Sequence, residues 1–228
     1  PGNPTGVVLS PEEMRLMADI AKEHGLFLVS DEVYREFVYG GEPLASMAQF
    51  DDAAENVVVV DSISKRFSAC GARVGILVSR NRELMAQALK ICPGRLWAAT
   101  LDQLGAAALY GVGSDYFSAV REEYHKRRDT CMEGLAKIPG VVCECPKGAF
   151  YIMAKLPVDD TDKFQTWLLE EFQDNGETIM FAPGEGFYGT PGKGRDEVRL
   201  AYILKQEDLR RAMEVLAHGI EAYNARKQ

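Results

Sequence analysis

The chain has 228 residues, 46% of them hydrophobic and 26% charged. That is an ordinary globular balance, enough for one large domain or two modest ones, and it rules out disorder and fibrous repeats. Asp and Glu number 34 against 26 Lys and Arg, a net charge of −8, which argues against a nucleic-acid partner because such a partner needs a basic face.

The chain opens on Pro1-Gly2-Asn3-Pro4-Thr5-Gly6, a turn-like stretch without an initiator Met, a basic n-region or an apolar h-region, so no signal peptide is visible and the chain is expected to be a piece of a longer polypeptide. Ser10-Pro11-Glu12-Glu13 then reads as a helix start: Ser10 caps, Pro11 suits the first helical position and Glu13 completes a capping box. Met14, Met17, Ala18 and Ala21 form its apolar stripe and Gly25 stops it. Apolar runs at 26–30, ending at Asp31, at 57–60, ending at Asp61-Ser62, and at 74–78 predict strands covered on both faces in a mostly parallel sheet between helices. Helices are predicted near 81–91 and 101–110. Ser114 opens a long one with Phe117, Val120, Tyr124, Cys131 and Leu135 inward.

Beyond it the pattern changes to short strands at 149–154, 178–181 and 197–202, with a helix bearing Phe164, Trp167, Leu168 and Phe172 between the first two. Leu209, Met213, Leu216, Ile220 and Tyr223 step by three and four residues along a last helix. The domain boundary is placed near residue 118, with an α/β portion at 1–117 and a smaller α+β unit at 118–228.

No apolar run approaches the ~18 residues of a membrane span, so no membrane partner is expected. The five cysteines are odd in number and are expected as free thiols in a reducing cytoplasm. Cys143 and Cys145 stand at C-x-C without a second pair, and His24, His125 and His218 are scattered, so no metal site is expected.

The segment richest in chemistry runs from Ser62 to Gly75: Ser62-Ile63-Ser64-Lys65-Arg66-Phe67-Ser68-Ala69-Cys70-Gly71-Ala72-Arg73-Val74-Gly75. It lies between two predicted strands. A lysine just past a strand end becomes a covalent catalyst when partly desolvated, because its free amine attacks carbonyls. Ser62 and Arg73 offer a hydroxyl and a guanidinium suited to a phosphate. From composition alone, a solvated loop lysine is the commoner outcome.

This segment resembles the lysine-attachment motif of the class I/II (fold-type I) pyridoxal-phosphate-dependent aminotransferases, of aspartate-aminotransferase-like type. Pro1–Gly6 resembles the family's asparagine turn, and Ser30-Asp31-Glu32-Val33-Tyr34 its aspartate–tyrosine motif. Ala182-Pro183-Gly184-Glu185-Gly186-Phe187 and Glu197-Val198-Arg199-Leu200-Ala201 are similar to its substrate-carboxylate region, so the resemblance covers essentially the whole chain.

The resemblance implies a fold: the C-terminal part of a mostly parallel, three-layer α/β/α large domain, followed by a smaller α+β domain. It also implies a cofactor, pyridoxal 5′-phosphate, held by Asn3, Asp31, Tyr34, Ser62, Lys65 and Arg73. Lys65 would carry the cofactor aldehyde as a Schiff base and then shuttle a proton. Asp31 would pair with the ring nitrogen, favouring its charged form. Tyr34 and Asn3 would donate to the ring oxygen, and Asn3 and Arg199 would meet the substrate, Arg199 by a two-point grip on its α-carboxylate.

The implied activity is amino-group transfer between an L-amino acid and a 2-oxo acid, in a cytoplasmic homodimer. A carbon–sulfur β-lyase on the same fold and a catalytically silent fragment or regulatory remnant are the alternatives. The family's phosphate-binding glycine turn and cofactor-stacking ring are expected to lie outside these 228 residues, and the chain alone is expected to be inactive.

Overall fold

The first helix, α1 (Pro11–Glu23), begins and ends where local chemistry dictates. Ser10 accepts the Glu13 N–H and the Glu13 carboxylate accepts the Ser10 N–H at 2.7 Å, a closed capping box. Beyond its end Gly25 adopts φ +61°, a left-handed turn in which a Cβ would be strained. The structure, a computed structural model, describes residues 1–41 and 45–226.

The chain divides into two units, one comprising Pro1–Gly2 and Val8–Arg121, the other Asn3–Val7 and Glu122–Gln228. In the first, β1 (Leu28–Asp31) pairs parallel with β2 (Val57–Ser62), which leads into the one-turn α2 (Ile63–Arg66) and then β3 (Gly75–Ser79). Helices α3 (Arg82–Arg95) and α4 (Thr100–Leu109) follow, and the division between units falls inside α5 (Ser114–Leu135). Val57 and Val59 of β2 pack with Met14 and Ala18 of α1 and with Met47 and Ala53. Ile63, Phe67, Val74 and Ala106 form a second cluster with Tyr116 and Phe117 of α5.

Two features of this sheet differ from the sequence-based expectation. β3 runs antiparallel to β2. The four residues of α2 rise only ~6 Å, too little to carry the chain back along a six-residue strand, so the connection reverses direction. Burial on both faces holds only for the central strand, where Val57, Val58 and Val59 are buried. On the strands either side of it Val29 is 61% and Val78 50% exposed.

The second unit is an antiparallel sheet of β4 (Val142–Cys143), β5 (Tyr151–Lys155), β6 (Ala182–Pro183) and β7 (Glu197–Ala201), in the order β4-β5-β7-β6. It is joined by α6 (Thr161–Glu170) and α7 (Gln206–Ala225). Leu209, Met213, Leu216, Ile220 and Tyr223 are all buried, and the Tyr223 ring meets Phe164 of α6 at 5.0 Å.

The predicted strand at 178–181 is not one. Thr178 Oγ1 donates to the Leu168 carbonyl at 2.7 Å, and the Phe181 N–H donates to Gln165 Oε1 at 2.7 Å, so this segment hydrogen-bonds to α6 rather than to a ladder. The strand begins at Ala182. Among the described residues no helix is long and apolar enough to cross a membrane.

Candidate active site

In the first unit the candidate residues gather at the carboxyl ends of β1 and β2, where open α/β sheets place ligands. Asp31 ends β1; it is exposed, and its Oδ1 accepts the Val33 N–H at 3.2 Å, starting the turn that brings Tyr34 inward. Tyr34 is buried, and Lys65 Nζ lies 5.9 Å from the centre of its ring. Ser62 ends β2 and caps α2. Its Oγ accepts the Ser64 N–H at 3.0 Å and lies 2.7 Å from Ser64 Oγ and 3.0 Å from the Val74 carbonyl oxygen. Lys65 is half-buried on the single turn so capped.

Arg73 is exposed and sits in the left-handed region at φ 55°, ψ 37°, a conformation a non-glycine residue holds only when its surroundings demand it. Its Nη1 donates to the Cys70 carbonyl at 2.9 Å. The next two residues return to β2, Val74 through its carbonyl to Ser62 Oγ and Gly75 in register with Ser62.

The remaining two candidates, Asn3 and Arg199, belong to the second unit. Arg199 lies on β7 over two aromatic rings, its Cζ 4.5 Å from the Tyr151 ring centre and 5.0 Å from that of Phe187. Its Nη1 donates to Asn3 Oδ1 at 2.8 Å, while its Nε is buried without a hydrogen-bond partner. Three residues after Asn3, Gly6 sits at φ +69° against Pro146, and its carbonyl accepts the Gly148 N–H at 2.9 Å. A Cβ on Gly6 would come within 2.5 Å of Pro146 Cβ and 2.7 Å of the Gly148 oxygen. Just past Phe187, Tyr188 donates its hydroxyl to Glu197 Oε2 at 2.5 Å, and this bond and the carboxylate's charge raise the phenol above its ordinary 10.0.

Residue-pattern reasoning missed several of these partners. Glu32 is buried and accepts from Ser30 Oγ, Ser46 Oγ and the Met47 N–H, tying the end of β1 to the following turn. Its neighbours Asp31 and Tyr34 drew attention, but a carboxylate between them gives no periodic signal of burial. Tyr151 was legible only as a strand residue. Phe187 stood in the quoted Ala182–Phe187 stretch, but its place over Arg199 depends on the fold.

The fold is that of known aminotransferases. An aromatic aminotransferase from Pyrococcus horikoshii superposes with a TM-score of 0.84 at 29% identity, over 100% of this chain and 59% of that one. An α-aminoadipate aminotransferase from Thermus thermophilus, solved with N-(5′-phosphopyridoxyl)-L-leucine, gives 0.85 at 25% identity over 98% of this chain and 57% of that one. In sequence the chain is 32% identical to an aspartate aminotransferase from Bacillus subtilis across 98% of its own length. It matches the family model for aminotransferase class I and II over residues 1–216, and it belongs to that family. It spans about half the length of the curated relatives it matches, 56% of the Bacillus protein.

Pyridoxal 5′-phosphate is the cofactor of that family, and the donor set of the first unit fits it. A half-buried amine at Lys65 suits an aldehyde. The Ser62 hydroxyl and Arg73 guanidinium suit a phosphate, and the exposed Asp31 carboxylate suits a protonated ring nitrogen.

Proposed function

We propose that the protein transfers the amino group of an L-amino acid to a 2-oxo acid, using pyridoxal 5′-phosphate. The observation that carries the reading is the placement of Lys65: a half-buried amine on a one-turn helix just past the carboxyl end of β2, beside Tyr34, with Ser62 capping the same turn. The bound cofactor supplies an electron sink for the carbanion at the substrate Cα.

The chain's own residues take the remaining roles. Lys65 holds the aldehyde and afterwards moves a proton. Ser62 and Arg73 bind the phosphate, Asp31 keeps the ring nitrogen protonated, and Tyr34 and Asn3 donate to the ring oxygen. Arg199 binds the substrate carboxylate. The Tyr151 and Phe187 rings over which its guanidinium lies restrict its position, and its unpaired buried Nε marks hydrogen-bonding capacity not spent on the fold. The names of the relatives support an amino-acid substrate. A homodimeric, cytoplasmic protein belongs to the same reading and rests on the family resemblance.

The test is to load the full protein with pyridoxal phosphate, reduce it with borohydride and map the labelled peptide, alongside an assay of 2-oxo acid consumption with amino-acid donors. Label on Lys65 together with transfer is the expected result. Label on another lysine removes Lys65 from the role.

A further inference from the structure

The turn that presents Lys65 is too small to hold itself. α2 has four residues, and an isolated helix that short does not persist in water. Ser62 caps its start. Its end is held by a chain of ion pairs, largely buried at Arg66 and Asp61 and opening toward Arg121, that plays no part in the roles assigned above. Arg66 is 6% exposed and places Nη2 2.5 Å from Asp61 Oδ2 and Nε 3.8 Å from Glu36 Oε1. From α5, Arg121 places Nη2 3.8 Å from Glu36 Oε2 and donates from Nε to the Glu36 carbonyl at 3.3 Å. Asp61 also accepts the Ser62 N–H through Oδ1 at 2.7 Å.

One carboxylate therefore grips both the residue before α2 and the last residue of α2, and Lys65 lies between those two grips. Two carboxylates face two guanidiniums, so the chain of ion pairs is neutral, as buried charge must be. Stability alone does not account for it, because apolar residues of similar volume serve a buried site as well or better. A charged pair adds direction: the bond forms only when the turn has one geometry.

We propose that the Asp61–Arg66–Glu36–Arg121 chain is the positioning device for Lys65, fixing the α2 turn so that the amine is presented to an aldehyde at the carboxyl end of β2. This rests on the assignment of Lys65 above. Arg66 is a positioning residue, acting through the turn and not on substrate.

The experiment uses the full protein with three variants: Arg66→Met, Arg66→Lys, and the pair Asp61→Asn with Arg66→Met, which leaves no unpaired charge at this contact. Two quantities are read. One is amide hydrogen exchange of the peptide covering 62–68 in cofactor-free protein. The other is the rate at which added pyridoxal phosphate becomes borohydride-fixed on Lys65.

In Arg66→Met and in the pair, exchange at 62–68 should quicken at least tenfold while the β1 and β3 peptides keep their wild-type rates. Fixation should slow at least tenfold, and Arg66→Lys should recover part of both. Wild-type fixation in the pair, or exchange that rises evenly through β1, β2 and β3, overturns the proposal. If wild-type protein fixes the aldehyde on a different lysine, the functional reading fails, while the exchange data still decide whether the ion pairs hold the turn.

Discussion

Arg199 and Asn3, 196 positions apart in sequence, are joined by a 2.8 Å hydrogen bond from Nη1 to Oδ1. The same guanidinium lies over the rings of Tyr151 and Phe187. Each of these contacts uses the planar, forked geometry of arginine, which lysine lacks. Arg199→Lys keeps the charge and loses the plane. Losing one charge-assisted hydrogen bond costs about 1.5–3 kcal/mol, so KM for every amino-acid donor should rise at least about tenfold. Steady-state kinetics on several donors check this. An effect confined to one donor would make Arg199 a side-chain selector instead.

Asp31→Asn isolates charge from shape. The amide oxygen can still accept the Val33 N–H that Asp31 Oδ1 accepts at 3.2 Å, so the turn toward Tyr34 should survive and the melting temperature should hold. The neutral amide cannot favour a protonated ring nitrogen. Turnover should fall by about two orders of magnitude or more with the Lys65 attachment intact. Turnover near that of wild type would remove Asp31 from this role.

The contrast between these two residues explains how much the sequence could tell. Asp31, Ser62 and Lys65 follow apolar runs, so their place at strand ends was readable from local pattern. The capping box at Ser10 and the buried stripe of the last helix were readable for the same reason: they depend on neighbours within four residues. What escaped depends on partners far away in sequence. The direction of β3 is set by how little helix lies between it and β2. The strand at Ala182 is displaced from 178–181 by side-chain bonds from Gln165 and Thr178. The partners of Arg66 come from β2 and the Glu36 turn, and Glu36 in turn meets Arg121 of α5; no spacing rule joins those three elements.

Gly134 offers a stability test inside the second unit. It lies on α5 facing α7, where a Cβ would stand 2.5 Å from both Cβ and Cγ of Met213. Alanine is ordinarily better than glycine in a helix by about 1 kcal/mol, but here the helices would have to separate, costing about 1–3 kcal/mol. Gly134→Ala should therefore lower the melting temperature by several degrees. Gly105→Ala on α4, where a Cβ meets nothing within 4 Å, should leave it unchanged or raise it. Equal shifts in the two variants would show that helix propensity alone is at work.

The hairpin that follows α6 gives a prediction in pH. Asp174 and Glu177 face each other across the two-residue turn Asn175-Gly176, closed by backbone bonds of 2.8 and 3.1 Å. Asp174 Oδ2 lies 2.6 Å from His218 Nδ1 and 3.2 Å from Arg211 Nη1, both on α7, and Arg211 Nε meets Glu177 Oε2 at 2.6 Å. The His218 contact first, and Arg211 second, hold the Asp174 carboxyl below its ordinary 3.8. A carboxylate with a lowered folded pKa stabilises the fold fully above its unfolded value. That contribution disappears as the pH falls from about 3.8 through the lowered value.

Asp174→Asn removes the charge while keeping an acceptor for the side-chain contacts. The variant should therefore be less stable than wild type at pH 7, and the gap should narrow steadily once the pH drops below 3.8. Urea unfolding of both proteins at neutral pH, at pH 4 and near the acid limit of solubility measures the gap directly. A gap of constant size across that range would mean that Asp174 acts through its shape and hydrogen bonds, and that its charge does not tie the hairpin to α7.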